Sequence, residues 1–305
     1  MIREGVFMKI GIFGGGAVGL LFAGNLGRVY DVTLIVRRES QVRSLMRNGI
    51  TIHKKGSTTT TKVRAVQSIA AHEKLDLAIV AVKEYDLSSL EDALVKIGSD
   101  VPLLFVQNGI GHVEWVKSLP HHDLIAGSVE HGALKENDVT IHHLGEAGTN
   151  IALIRGKWGV VEEVVTKCID SFPFIIQDDF EKMLLNKLFV NVSINPLTAL
   201  TGVTNGKLTE NPHFHLLQRE LFSELLLLFP HMEGTISFDR VVDICRNTYQ
   251  NRSSMLKDIE SHRRTEIESI LGVLLEKAQK ENHFVPIMNV LYRLVKGIER
   301  EGLGG

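Results

Sequence analysis

Cysteine is scarce in this chain: 305 residues carry only Cys168 and Cys245. Two thiols so far apart, with no metal-ligand spacing, exclude a disulfide framework and suit a reducing compartment, so the cytoplasm is the expected location. Charge of one sign is also missing. Lys and Arg number 34 against 36 Asp and Glu, a formal net charge of -2. That balance gives no electrostatic basis for binding nucleic acid or an anionic membrane, and any anionic ligand must be met by locally placed Lys or Arg. No apolar run approaches the ~20 residues of a membrane-spanning helix. The opening MIREGVF is too short and of the wrong character for a signal peptide, and residues 1–7 read as a short extension before the first strand. The apolar share of 44% and charged share of 23% are those of a soluble globular protein. At this length two domains are expected.

What is present begins with glycine. A β-rich run, residues 9–13, leads into Gly14-Gly15-Gly16-Ala17-Val18-Gly19, then a helical LLFAGNL and a second strand DVTLIV. Strand, G-x-G-x-x-G, helix and strand within about 30 residues is the dinucleotide-binding context. Gly14 permits the tight turn, Gly16 lets the backbone approach a pyrophosphate, and Gly19 lets the helix lie close to the sheet. The helix N-terminus then offers free N–H groups to the anion. At the end of the second strand, where an NAD site usually carries Asp or Glu, this chain has Arg37 and Arg38. Guanidinium groups match a 2′-phosphate bidentately, which favours NADP.

Further strands follow in α/β rhythm. Residues 75–82 end at Lys83, and residues 102–107 end at Asn108-Gly109-Ile110-Gly111. Ligands of an open α/β sheet sit outside such carboxyl ends. Residues 57–61, Ser and four Thr, read as a turn between two strands. Residues 123–130 give another strand, and residues 139–143 with 150–154 read as a hairpin. A helix over 158–168 and a strand over 174–177 complete a first domain, 1–177. His121, His122, His131, His142 and His143 are accompanied by no carboxylate or cysteine at ligand spacing on one predicted face, so no metal site is expected.

From Asp178 the strand pattern stops and amphipathic segments take over at 180–201, 213–229, 238–250, 253–280 and 286–301. The expected fold is therefore an α/β Rossmann-type N-terminal domain with an all-helical C-terminal domain, 178–305, and a substrate cleft between the two. Within residues 183–200, Lys187, Asn191 and Asn195 recur every four residues along an otherwise apolar helix and share one face. Such groups need polar partners if buried. The same spacing also fits a snorkelling lysine and two surface amides, although the flanking faces are too apolar for an ordinary surface helix. Ser254 and Glu266 lie twelve residues apart, about 18 Å along a straight helix. One small substrate cannot touch both unless that helix is broken. An apolar face such as residues 225–229 offers either a homodimer contact or core.

Nicotinamide supplies a hydride, and reducing a ketone places negative charge on its oxygen. Lys187 can hydrogen-bond that oxygen and deliver the proton. Asn191, Asn195, Asn205 and Ser254 offer neutral donors for a carboxylate and a hydroxyl, while Leu188, Val192 and Ile194 suit a branched aliphatic body. No nucleophile elbow is present, so hydrolysis has no support.

In order, the chain carries GGGAVG, VK at Val82-Lys83, QNGIG from Gln107, KLFVNVSINPLTAL from Lys187, NG at Asn205-Gly206, NRSSML from Asn251 and RRTEI from Arg263. Together these resemble ketopantoate reductase (2-dehydropantoate 2-reductase), the NADPH enzyme of pantothenate biosynthesis, over most of the chain from Met8. The resemblance implies Lys187 as proton donor, with Asn191, Asn195 and Ser254 holding ketopantoate. It implies Asn108 between nicotinamide and substrate, and Asn205 near the substrate. Beside the glycine motif, Arg37 and Lys83 would hold the adenosine phosphate end, Ala133 would line the cofactor site, and Glu266 would contact the nicotinamide side. Two positions depart from the pattern. Asp86 stands where the family often has Gln, and Leu271 where some members have Asn. A reductase of another branched 2-keto acid and a non-catalytic NADP-binding sensor are the alternatives.

Overall fold

The computed structural model describes residues 8–70, 73–168 and 170–302. They form two compact units, one within the bounds Met1–Gln107 and His112–Met183, the other within Asn108–Gly111 and Leu184–Gly305.

In chain order the first unit contains β1 (Lys9–Phe13), α1 (Ala17–Leu26), β2 (Asp31–Ile35), α2 (Glu39–Asn48), β3 (Ile50–Lys54), β4 (Ser57–Thr61) and β5 (Arg64–Val66). It continues with β6 (Leu77–Val80), a 3₁₀ segment Glu84–Leu90, α3 (Glu91–Ile97), β7 (Leu103–Phe105), α4 (Val113–Ser118) and β8 (Leu124–Val129). The last members are β9 (Gly132–Lys135), β10 (Thr140–Gly145), β11 (Thr149–Arg155), α5 (Val161–Cys168) and β12 (Phe174–Ile176). Eight strands form one sheet in the order β12-β11-β8-β7-β6-β1-β2-β5. From β8 to β5 all pairings are parallel; β11 pairs antiparallel with β8, and β12 runs parallel to β11. Every residue of β6 and β8 is buried, as expected for parallel strands covered on both faces. Strand order reverses between β1 and β6, which makes the crevice beyond their carboxyl ends the ligand position of this topology.

A smaller sheet runs β4-β3-β10-β9 and corrects two sequence expectations. Residues 57–61 are strand β4, paired antiparallel with β3, and the turn is Lys55-Gly56, where Gly56 adopts φ 77°. Four β-branched threonines favour the extended backbone over a turn. The expected hairpin of residues 139–143 and 150–154 does not form. β10 pairs with β3 and β9, while β11 joins the large sheet beside β8. Two histidines of this region pack together: the His131 ring stacks on Phe172 with centroids 4.4 Å apart, and His143 Nε2 lies 3.1 Å from His131 Nδ1.

The second unit is built on α6 (Phe180–Thr201), whose Leu185, Leu188, Phe189, Val192 and Leu197 enter its core. Around it lie α7 (Lys207–Glu210), α8 (Pro212–Leu228), α9 (Phe238–Asn247), α10 (Ser254–Glu260), α11 (Val273–Lys280) and α12 (Pro286–Gly302). Leu225, Leu228 and Phe229 of the 225–229 stretch are buried in this core, whereas Leu227 is exposed. Among the described residues no helix is long and apolar enough to cross a membrane.

One expected helix is not continuous. Residues 253–280 break after α10: His262 takes a left-handed φ of 50°, the chain is irregular to Thr265, and a π-helical turn at Glu268–Gly272 precedes α11. The Glu299 carboxylate on α12 accepts the Thr265 N–H at 2.6 Å, and Thr265 Oγ1 accepts the Ile267 N–H at 3.1 Å. These bonds cap a new helical start. Residues 261–264 therefore lie on a bend. The break lifts the 18 Å separation that a straight helix would impose on Ser254 and Glu266.

Candidate active site

In the first unit the glycine motif joins β1 to α1 at the reversal of strand order. Gly14 has φ 116°, and a Cβ there would lie 2.9 Å from the Ala81 carbonyl beyond β6. A Cβ on Gly19 would lie 1.8 Å from the Gly14 oxygen, so only glycine fits. Gly16 differs, because a Cβ built on it meets nothing within 4 Å. It is exposed, it stands at the N-cap of α1, and no side chain caps that helix. An open backbone before uncapped N–H groups is the cradle a pyrophosphate requires. Gly15, Ala17 and Val18 complete the loop.

Sequence reasoning missed the residues that brace this loop. The Gly15 carbonyl accepts Gln41 Nε2 at 3.0 Å and Lys135 Nζ at 2.9 Å. Asp138 joins them, bonded to Arg38 and 3.4 Å from Lys135. Arg38 holds the Asp138 carboxyl below the usual carboxylate range, outweighing partial burial. Burial pushes the Lys135 ammonium down, against the opposing pull of Asp138. Lys135 sits at the end of β9, the strand that carries Ala133, more than a hundred residues from the motif it supports. No local pattern signals that pairing.

Of the two arginines after β2, Arg38 is thus engaged in this brace. Glu39 pairs with Arg43 at 2.7 Å, leaving Arg37 to a different partner. Asp86 Oδ1 accepts Arg37 Nη1 at 2.9 Å and Oδ2 accepts Nη2 at 3.4 Å. Asp86 belongs to the 3₁₀ segment whose N-cap is Lys83. The departure noted in the sequence therefore touches the expected phosphate-binding arginine itself.

In the second unit, α6 is an uninterrupted helix across Lys187, Asn191 and Asn195, so the three side chains leave one face at steps of about 6 Å. Lys187 and Asn191 are half-buried and Asn195 is buried. One turn beyond Asn195, Thr198 Oγ1 donates to Ser253 Oγ at 2.7 Å, and Ser253 Oγ accepts the Leu256 N–H at 3.1 Å. Ser253 is the buried cap of α10, and Ser254 beside it is exposed at the first helical position. This link fixes Ser254 near the Asn195 end of the stripe. Thr198→Val is expected to destabilise the second unit by about 1 kcal/mol, the worth of one buried hydrogen bond, as read by urea denaturation. An unchanged midpoint would deny the link its importance.

Asn108 and Glu266 are brought together, with Asn108 Nδ2 donating to Glu266 Oε2 at 2.9 Å. Gly109 next to it has φ 84°, and a Cβ there would lie 2.2 Å from the Ser269 carbonyl oxygen in the π-helical turn. The 108–111 loop and the segment after the break thus form one tight assembly. Asn205 is buried, donates to Thr248 Oγ1 at 2.9 Å, and has no partner for its Oδ1. Leu271 is fully buried in the core, so the position where some relatives carry Asn is an apolar one here.

The profile described as "Ketopantoate reductase PanE/ApbA" matches residues 10–156, and that described as "Ketopantoate reductase PanE/ApbA C terminal" matches residues 179–299. The chain belongs to the ketopantoate reductase family. Among similar proteins, a 2-dehydropantoate 2-reductase of Listeria innocua is 36% identical over 299 residues, covering 96% of this chain and 98% of its own length. One from Bacillus subtilis is 34% identical over 302 residues, with 96% and 98% covered. A crystal structure of a probable 2-dehydropantoate 2-reductase from Bacillus subtilis superposes with a TM-score of 0.86 at 33% identity, covering 95% of this chain and all of the other. Ketopantoate reductase family membership thus spans both the glycine-motif unit and the helical one.

Proposed function

We propose that this protein is an NADPH-dependent reductase converting 2-dehydropantoate (ketopantoate) to (R)-pantoate, a step of pantothenate and coenzyme A biosynthesis. Family membership across nearly the whole chain carries this reading, and the Lys187–Asn191–Asn195 stripe on α6 supplies the chemistry. Residues 1–177 are taken as the dinucleotide-binding domain and 178–305 as the substrate and catalytic domain, working in the cytoplasm.

When bound, the reduced nicotinamide supplies the hydride for the C2 ketone. The remaining work falls to this chain. Gly14 to Gly19 and the N-terminus of α1 receive the pyrophosphate, Arg37 and Lys83 the adenosine phosphate end, and Ala133 and Glu266 further cofactor surface. Lys187 hydrogen-bonds the ketone oxygen and releases a proton to it as the C–H bond forms, so charge is neutralised where it develops. Asn191, Asn195, Asn205 and Ser254 orient the carboxylate and hydroxyl of the substrate without placing a second cation against the catalytic ammonium. Asn108, held by Glu266, contacts both substrate and nicotinamide.

Loss of NADPH absorbance with a panel of branched 2-keto acids tests the proposal. Ketopantoate is expected to give the highest kcat/KM of the panel. A better substrate among the others would reassign the protein to a different 2-keto acid, and NADPH binding without turnover of any would favour a sensor.

A further inference from the structure

We infer that Asp86 sets cofactor selectivity by competing with the 2′-phosphate for Arg37. This rests on the dinucleotide reading of the first unit. Two observations carry it. First, both guanidinium nitrogens of the Arg37 fork point at the two oxygens of Asp86, at 2.9 and 3.4 Å. A bidentate fork is the geometry by which arginine recognises a phosphate, and here a carboxylate already occupies it. Second, the two partners differ in freedom. The Arg37 side chain is 79% exposed, whereas that of Asp86 is 23% exposed. Asp86 stands on a fixed turn: its N–H donates to the Lys83 carbonyl at 2.9 Å, and Ser89 Oγ donates to the Asp86 carbonyl at 2.6 Å. The backbone of Arg37 is likewise tied, because Gln67 Nε2 donates to its carbonyl at 2.9 Å. The arginine head can swing, and the carboxylate stays.

A 2′-phosphate arriving at Arg37 must therefore break or share the fork while a fixed negative charge stands a few ångströms away. The guanidinium's attraction is then divided between two anions, so the phosphate gains less from Arg37 than it would from an unpaired fork. A ribose 2′-hydroxyl faces no such penalty and can donate to a free carboxylate oxygen. Asp86 thus narrows the preference for the phosphorylated cofactor that Arg37 alone would give.

The test measures binding of adenosine 2′,5′-bisphosphate and of 5′-AMP to the full-length protein by calorimetry, in wild type, Asp86→Asn, Asp86→Gln and Arg37→Ala. Removing the Asp86 charge is expected to tighten the bisphosphate about tenfold and leave AMP within about twofold. In the Arg37→Ala background the same substitution should have a much smaller effect. The ratio of kcat/KM for NADPH over NADH should rise in parallel. An unchanged or reduced bisphosphate-to-AMP ratio in both Asp86 variants would overturn the inference and make Asp86 a support for Arg37. If neither fragment binds wild type, the dinucleotide reading falls, and the selectivity role with it.

Discussion

Replacing Lys187 with alanine is expected to lower kcat by about 10²- to 10⁴-fold while NADPH affinity stays within about threefold, the effect of deleting a positioned general acid. Lys187 lies on α6 of the second unit, away in sequence from the glycine motif and Arg37, so its loss should leave the cofactor's adenosine end untouched. Arginine should not rescue the activity. A guanidinium keeps its proton at any working pH and can stabilise the oxyanion without releasing a proton to it. Stopped-flow hydride transfer with titration of NADPH fluorescence separates chemistry from binding. Near-normal turnover in the alanine variant would remove Lys187 from the mechanism.

Acidification should unfold the wild-type protein earlier than a His112→Leu variant. His112 is buried at the start of α4, and neither ring nitrogen has a hydrogen-bond partner. Burial pushes its pKa down to about 4, so the native protein holds it neutral. In the unfolded chain the imidazole titrates near its ordinary value of about 6.5. Above that pH both states are neutral and the residue adds no pH dependence. Between about 6.5 and about 4 the unfolded state takes up a proton that the native state refuses, so stability falls with falling pH by about 3 kcal/mol in total. Leucine cannot titrate, and it also removes unsatisfied buried polar atoms, so the variant should match or exceed wild type at neutral pH. Urea midpoints for the two proteins at several pH values provide the check. Parallel curves would show that His112 is not the group responsible.

Much of the first unit was legible because its signals are local. The spacing of Gly14, Gly16 and Gly19 after an apolar strand requires only neighbouring residues to be meaningful, and the α6 stripe needs only helical periodicity. Pairings between distant segments were not legible. Nothing in residues 139–154 says that β10 will choose β3 while β11 chooses β8, because strand partners are set by the whole sheet. The break after α10 was hidden for the same reason. No proline or glycine marks residues 254–271, and the carboxylate that caps the restart, Glu299, comes from α12. The Asp86 departure was visible as a residue, but its meaning was not, since its partner lies 49 positions earlier.

The π-helical turn at Glu268–Gly272 holds one residue more than an α-helical turn would. It therefore acts as a phase adjuster between the capped restart at Thr265 and α11. It takes about five residues to turn through nearly the angle that four turn in an α-helix, so deleting one would restore ordinary helical pairing and leave the facing of everything downstream nearly unchanged. Leu274 and Ala278, now buried, would keep facing the core, and the charged Glu276 and Lys277 would stay off it. A one-residue deletion is therefore expected to be tolerated within this turn, whereas one inside α11, with no wide turn to absorb it, would rotate the residues beyond it by about 100°.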